Sequence, residues 1–221
     1  MGIVLAALPH PALAAPGSVT PVRGLAVLDL GSGLDLESHG ITERPVNGAT
    51  NAADNKSIDT DQGVVFKMAT GSSLVARDGR ISVGKLSFQG GVELTKGRKK
   101  VVLRALTLDV KTGRVTAVLG SKTQTIGTFP LGDVEVSAKR AGSLDAVITF
   151  GGPLTLNAQT AAGIDAALGS NLKEDVDPDA GIEVPMEVHA VVTLASDLAE
   201  ALDLDLDAVQ DLDVDLGIHL L

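Results

Sequence analysis

Histidine is the residue most able to exchange a proton near neutral pH or to hold a metal, and this chain has four: His10, His39, His189 and His219. None belongs to a His-x-x-x-His or similar pair, so a zinc site is not expected. His10 falls in an apolar N-terminal run and His219 in the terminal segment. His39 precedes Gly40 at the end of a short predicted helix, where a cation suits the exposed carbonyls. His189 stands within Val188-His189-Ala190 on a predicted strand. It reads as a hydrogen-bonded sheet histidine, and it is also the candidate axial ligand if haem were bound.

No catalytic residue is assigned. Cysteine is absent, which excludes disulfides, thiolate metal sites and a cysteine nucleophile. No Gly-x-Ser-x-Gly elbow and no phosphate-binding glycine loop occurs, and Gly71-Ser72-Ser73 reads as a turn. Carboxylate pairs for glycoside cleavage are spatial and cannot be read from spacing. The absence of Trp and Tyr removes the usual sugar-stacking platforms and binding hot spots.

Two charged sets stand out. Asp203, Asp205 and Asp207, then Asp211, Asp213 and Asp215, alternate with Leu, Val and Ala, which places carboxylates along one face of an extended segment. Such a face offers oxygen ligands to Ca²⁺, and it equally serves as a solvated acidic surface. Lys96, Arg98, Lys99, Lys100 and Arg104 cluster on one hairpin. They suit an acidic partner, either a cell-envelope component or the Asp-rich tail of another copy, and lysines also protect sheet edges. The formal net charge of −10 argues against nucleic acid, which needs a basic footprint.

The elements that would position these residues are strands. Ile81 and Val83, Leu86 and Phe88, Val92 and Leu94, Val101 and Leu103, then Leu106, Leu108 and Val110 sit two apart. So do Val115, Ala117 and Leu119, and Val134 and Val136. Period two sets one face on a core and the other in solvent. Turns are expected at Asp78-Gly79, Lys96-Gly97-Arg98, Lys111-Thr112-Gly113, Gly120 to Thr123 and Lys139 to Ser143, with a β-bulge at Gly84. The fold class is therefore all-β, mainly an antiparallel sandwich or barrel, with one or two short helices. One helix is predicted over Leu34 to Gly40. The other is Ala-rich, runs from Asn157 to Leu168, and has Asn157 as N-cap and Gly169 past its end. Val46 to Gln62 reads as a surface loop, Leu172 to Pro185 as an acidic loop, and Met186 to Leu194 as a last strand. The core falls to aliphatic residues, with Phe66, Phe88, Phe129 and Phe150 as its large members.

Gly2 to Leu8 is apolar, and Ala12-Leu13-Ala14-Ala15 ends in small residues before Pro16. This reads as a secretory signal over 1–15 with cleavage near Ala14 or Ala15. A linker follows over 16–24, then a β domain over 25–194 and an acidic Leu/Asp tail over 195–221. No other apolar stretch is long enough to span a bilayer as a helix, so no integral membrane span is expected in the mature chain.

From Leu25 to about Val192 the chain resembles actinobacterial exported domains related to HtaA, the haem-transport-associated domain. The residues that carry the resemblance are a Leu-Asp opening, Gly40-Ile41-Thr42 followed by Pro45-Val46, and Gly90-Gly91-Val92. Leu106-Thr107-Leu108-Asp109 before a Lys-Thr-Gly turn, and Leu154-Thr155-Leu156-Asn157 before the Ala-rich helix, complete it. The resemblance implies a β fold and a haem site built from a tyrosine supported by a histidine. Here there is no tyrosine, and Phe88 stands where the family pattern has the histidine before the paired glycines. The expected function is a secreted, non-enzymatic binding or structural module at the cell surface or in the medium. The alternatives are a carrier of haem or a small apolar ligand, and self-assembly through the C-terminal strand. No cofactor is required, with haem and Ca²⁺ as the two to test.

Overall fold

The computed structural model describes residues 17–21, 23–55, 60–77, 80–131, 133–138, 145–193 and 215–219. Five strands lie in the first half of the chain before the long hairpins: β1 (Gly17–Val19), β2 (Arg23–Leu28), β3 (Thr42–Val46), β4 (Thr50–Asn51) and β5 (Val64–Met68). Then come β6 (Ser73–Arg77), β7 (Arg80–Gln89), β8 (Gly91–Lys96), β9 (Lys99–Asp109), β10 (Arg114–Leu119) and β11 (Lys122–Thr128). The rest are β12 (Asp133–Ala138), β13 (Asp145–Leu156), β14 (Ile182–Thr193) and β15 (Asp215–His219). Two α-helices interrupt them, α1 (Leu30–Gly33) and α2 (Ala158–Leu168).

Eight strands close into a barrel in the order β7-β5-β2-β14-β13-β11-β10-β9, and the β9–β7 pairing (Lys85↔Asp109 to Ser87↔Thr107) completes the ring. Closure leaves the ring itself without an unpaired edge. The remaining strands extend it outward: β6 and β1 from β7, β8 and β3 from β9, β12 and β15 from β13, and β4 from β5. All fifteen described strands pair antiparallel, and β13 and β14 pair along twelve residues, from Asp145↔Thr193 to Leu156↔Ile182.

The interior is filled by alternate residues of these strands and is aliphatic, with Phe66, Phe88, Phe129 and Phe150 all fully enclosed. This agrees with the reading of the sequence. Helix α2 lies on β9 and β11 and adds Ala161, Ile164 and Leu168 to the same core. Asn157 caps it by accepting from Thr160 N at 2.8 Å, and Gly169 ends it in the left-handed region at φ 69°. Both are as predicted.

Several expectations need correction. The helix predicted over Leu34 to Gly40 instead occupies Leu30–Gly33, because Asp29 caps it and Asp35 at φ 46° turns the chain out of helical geometry. Val46 to Gln62 is more than loop. It holds β4 and a 3₁₀ turn (Ala52–Asp54) whose Ala52 is buried against Val27 and Val65 on the outer barrel wall. The last long strand begins at Ile182 rather than Met186, and the preceding segment contains a 3₁₀ turn (Leu172–Asp175) with Leu172 in the core. The bulge expected at Gly84 falls one pair earlier, where Val75 faces Val83 and Ala76 faces Ile81, so Ser82 is the extra residue. Gly84 instead packs tightly on β6, where an added Cβ would strike Ser73 O. Strands β1 and β2 enter the segment read as linker, and β15 lies in the segment read as tail. The turns at Asp78-Gly79 and Lys139 to Ser143 lie outside the described residues.

Candidate functional site

Even-numbered residues of β2 and β14 point into the barrel, so odd-numbered ones build its outer wall. On that wall the pairing Val27↔Glu187↔Gly151 runs across β2, β14 and β13. Gly151 leaves a gap in the row, and Pro153 paired with Pro185 forms the next step along it. The result is an open groove of about 460 Å³ lined by Val27, Gly151, Gly152, Pro153, Pro185 and Met186, with Asp29, Thr60, Gln62 and Glu187 as its polar members. Pro185 O accepts from Asp29 N, so the side of Pro185 that lacks an N–H faces β2 rather than Pro153. The volume lies within the range of small-molecule sites.

Asp29 is placed at the end of β2 by a backbone bond from its own N–H to Pro185 O at 3.0 Å. It is only 8% exposed. Its carboxylate accepts Ser32 N at 3.1 Å and the Ser32 hydroxyl. Glu43, on β3, lies across Gly31 from it: a Cβ added at Gly31 would be 3.3 Å from Asp29 Oδ1 and 3.6 Å from Glu43 Oε1. Burial, and then the charge of Asp29, push the Glu43 carboxyl up to about 7. Glu43 Oε2 is sealed from solvent with no hydrogen-bond partner among the described residues. Glu187 behaves oppositely. The imidazole of His189, with Nε2 3.0 Å from Glu187 Oε1, holds its carboxyl below the ordinary value against the effect of burial.

The sequence-predicted residues are distributed as follows. His189 lies on the outer wall, with Nδ1 3.4 Å from Thr149 Oγ1 and Nε2 on Glu187. It therefore stands one cross-strand row from the groove and is joined to it through Glu187. Nδ1 thus lies against Thr149, whereas the buried Nε2 lies close to Glu187 without a hydrogen bond of good geometry among the described residues. Phe88 is enclosed in the core. His39 does not reach this wall; it ties Asn171 (3.2 Å) and Asp175 (2.8 Å) to the turn before β3.

The basic hairpin is divided in use. Lys100 and Arg44 share Glu93 at 3.0 and 2.8 Å. Lys99 Nζ lies over the end of α2 beside Gly169, where the carbonyl ends attract a cation. Arg98 and Arg104 are exposed, and Lys96 is partly so. Asp203, Asp205, Asp207, Asp211 and Asp213 lie outside the described residues. Asp215 opens β15, which pairs with β12 of the same chain (Asp215↔Ser137 to His219↔Asp133). Among the described residues no three His, Cys, Asp or Glu side chains gather as a metal site.

Reading the sequence missed Asp29 and Glu43. A local signal existed for the first, since Asp29 and Ser32 have N-cap spacing. None existed for Glu43, which sits among polar neighbours in Thr42-Glu43-Arg44.

No protein-family profile matches the chain. No curated protein matches it in sequence. Among solved structures it is similar to the C-terminal domain of HtaA from Corynebacterium glutamicum, at 13% identity and a TM-score of 0.44, over 82% of this chain and 99% of that one. No residue is carried over from it. Among the described residues no helix is long and apolar enough to cross a membrane.

Proposed function

We propose that this chain is a secreted, non-enzymatic binding module of the HtaA-like type, and that its ligand sits in the outer groove over β2, β13 and β14. The observation that carries the reading is the groove itself: about 460 Å³, largely apolar, and set on the rigid twelve-residue pairing of β13 with β14. Export is supported by the apolar run Gly2 to Leu8 and the small residues Ala12 to Ala15, with β1 beginning at Gly17 directly afterwards. The interior is filled by side chains, so a small-ligand carrier of this fold uses its wall rather than its centre.

Gly151 supplies the test. An added Cβ there meets nothing within 4 Å, so Gly151→Leu projects into the groove without a backbone clash. Saturable Nile red fluorescence with the native chain, lost in Gly151→Leu at unchanged circular dichroism, is the expected result. Equal binding by both proteins overturns the groove as the site. The export claim is checked by the N-terminal sequence of protein recovered from the medium, which should start after Ala14 or Ala15.

Self-assembly is the second reading, favoured by the pairing of the C-terminal strand β15 with β12. The same register can form between copies by exchange of the strand. Size-exclusion chromatography of the chain truncated after Leu194 separates the two readings, since an elution state that changes only by the lost mass defeats exchange.

A further inference from the structure

The electrostatics of the groove narrow its ligand, taking the groove as the binding site proposed above. Its two charged lining residues, Asp29 and Glu187, are both acidic. Asp29 is nine-tenths buried, and among the described residues its carboxylate accepts only from neutral donors, Ser32 N and the Ser32 hydroxyl. Behind it stands Glu43, whose sealed Oε2 has no hydrogen-bond partner among the described residues, so the two carboxyl groups share a site that no described cation balances. Buried carboxylates are ordinarily paired with a cation or left protonated. Among the described residues Glu187 has His189 on Oε1. The same groove is lined by the apolar Val27, Pro153 and Pro185.

We propose that the groove binds a small organic cation, with its amidinium, guanidinium or ammonium head between Asp29 and Glu187 and its apolar body on Val27, Pro153 and Pro185. The head would supply the missing counter-charge, and a charge-assisted hydrogen bond in a partly desolvated site outweighs the same contact to a neutral group. The modest volume selects a single small molecule rather than a macromolecular partner.

Three probes of nearly equal shape and different charge test this on the full chain: benzamidinium, neutral benzamide and benzoate, each titrated by NMR. Benzamidinium should shift the amide signals of Val27, Gly151 and Gly152 saturably. Benzamide should bind about tenfold or more weakly, the size expected for losing hydrogen bonds to a charged group. Benzoate should leave these signals unmoved. Asp29→Asn keeps a good N-cap, so it should preserve the fold while reducing benzamidinium affinity toward that of benzamide. Equal binding of benzamide and benzamidinium, or an Asp29→Asn chain that binds benzamidinium as well as the native one, overturns the cation assignment and leaves the groove standing. Failure of all three probes to move the groove signals overturns both.

Discussion

On the interior side of β14, Val184, Met186, Val188, Ala190 and Val192 are all buried against aliphatic neighbours. On the exterior side of the same strand, Pro185, Glu187 and His189 face a groove and an ion pair instead. Both faces share one backbone and one hydrogen-bond register, so they differ only in what the side chains meet. Inside, shape and hydrophobic burial set the energy, and any group removed leaves a void. Outside, glycine and proline open space, and the carboxyl groups have protonation states set by their neighbours. The wall thus combines a rigid interior face with an exterior that tolerates change.

Neighbouring residues on β13 give the sharpest way to break that contrast. Phe150 is enclosed in the core, whereas Gly151 faces the groove. Phe150→Ala should cost about 3–5 kcal/mol in urea denaturation, the usual range for a large aromatic truncated in a core. Gly151→Leu, one position along, should change stability by no more than about 1 kcal/mol, since its Cβ meets nothing. Comparable losses for the two would mean that the exterior face is packed after all.

Glu187 in the groove and Glu43 behind Asp29 sharpen the contrast by pH. Glu43 holds its proton to higher pH folded, about 7, than the 4.5 of an ordinary glutamate. It therefore favours the folded state fully below 4.5, and that contribution is lost as pH rises through 7. Glu43→Gln should remove this slope and leave the variant relatively more stable at pH 8 than at pH 5. Glu187, lowered by His189, contributes stability above 4.5 that disappears as pH falls through its depressed value. Glu187→Gln should therefore show its deficit at neutral pH and lose it in acid. Denaturation midpoints of the three proteins from pH 3 to 8 check both signs. Parallel curves would show that neither carboxyl senses the wall.

Much of the fold was legible because most of the long strands bury alternate residues, although β2 and β5 bury Val27 and Val65 on the outer wall as well. The three-residue step from Leu103 to Leu106 even marks where alternation slips, and there Ala105 sits at φ 55° as the extra residue of β9. The capped α2 was legible because Asn157 and Gly169 act locally. Barrel closure was not, since the pairing of β7 with β9 joins strands separated by β8 and depends on where each strand bends. The site was legible least of all. His189 was singled out for its type, but the groove beside it exists because Gly151 lacks a side chain and two prolines meet across strands. Asp29 and Glu43 come together only when β3 folds back past α1, a juxtaposition no linear spacing records.

The bulge at Ser82 yields the finest test, because the sequence alone places Ile81 and Val83 on one face. In the structure Ile81 is enclosed while Val83 is 44% exposed, the extra residue having turned the strand over between them. Ile81→Val should cost about 0.5–1.5 kcal/mol, as for a methyl group deleted from a core. Val83→Ala removes more atoms yet should stay within about 0.5 kcal/mol, because its side chain already meets water. Without the bulge the order reverses, since Val83 would share the core with Ile81 and lose the larger volume. Urea midpoints of these two variants therefore decide which residue of β7 carries the change of face, and with it whether Gly84, Leu86 and Phe88 are set inward by Ser82.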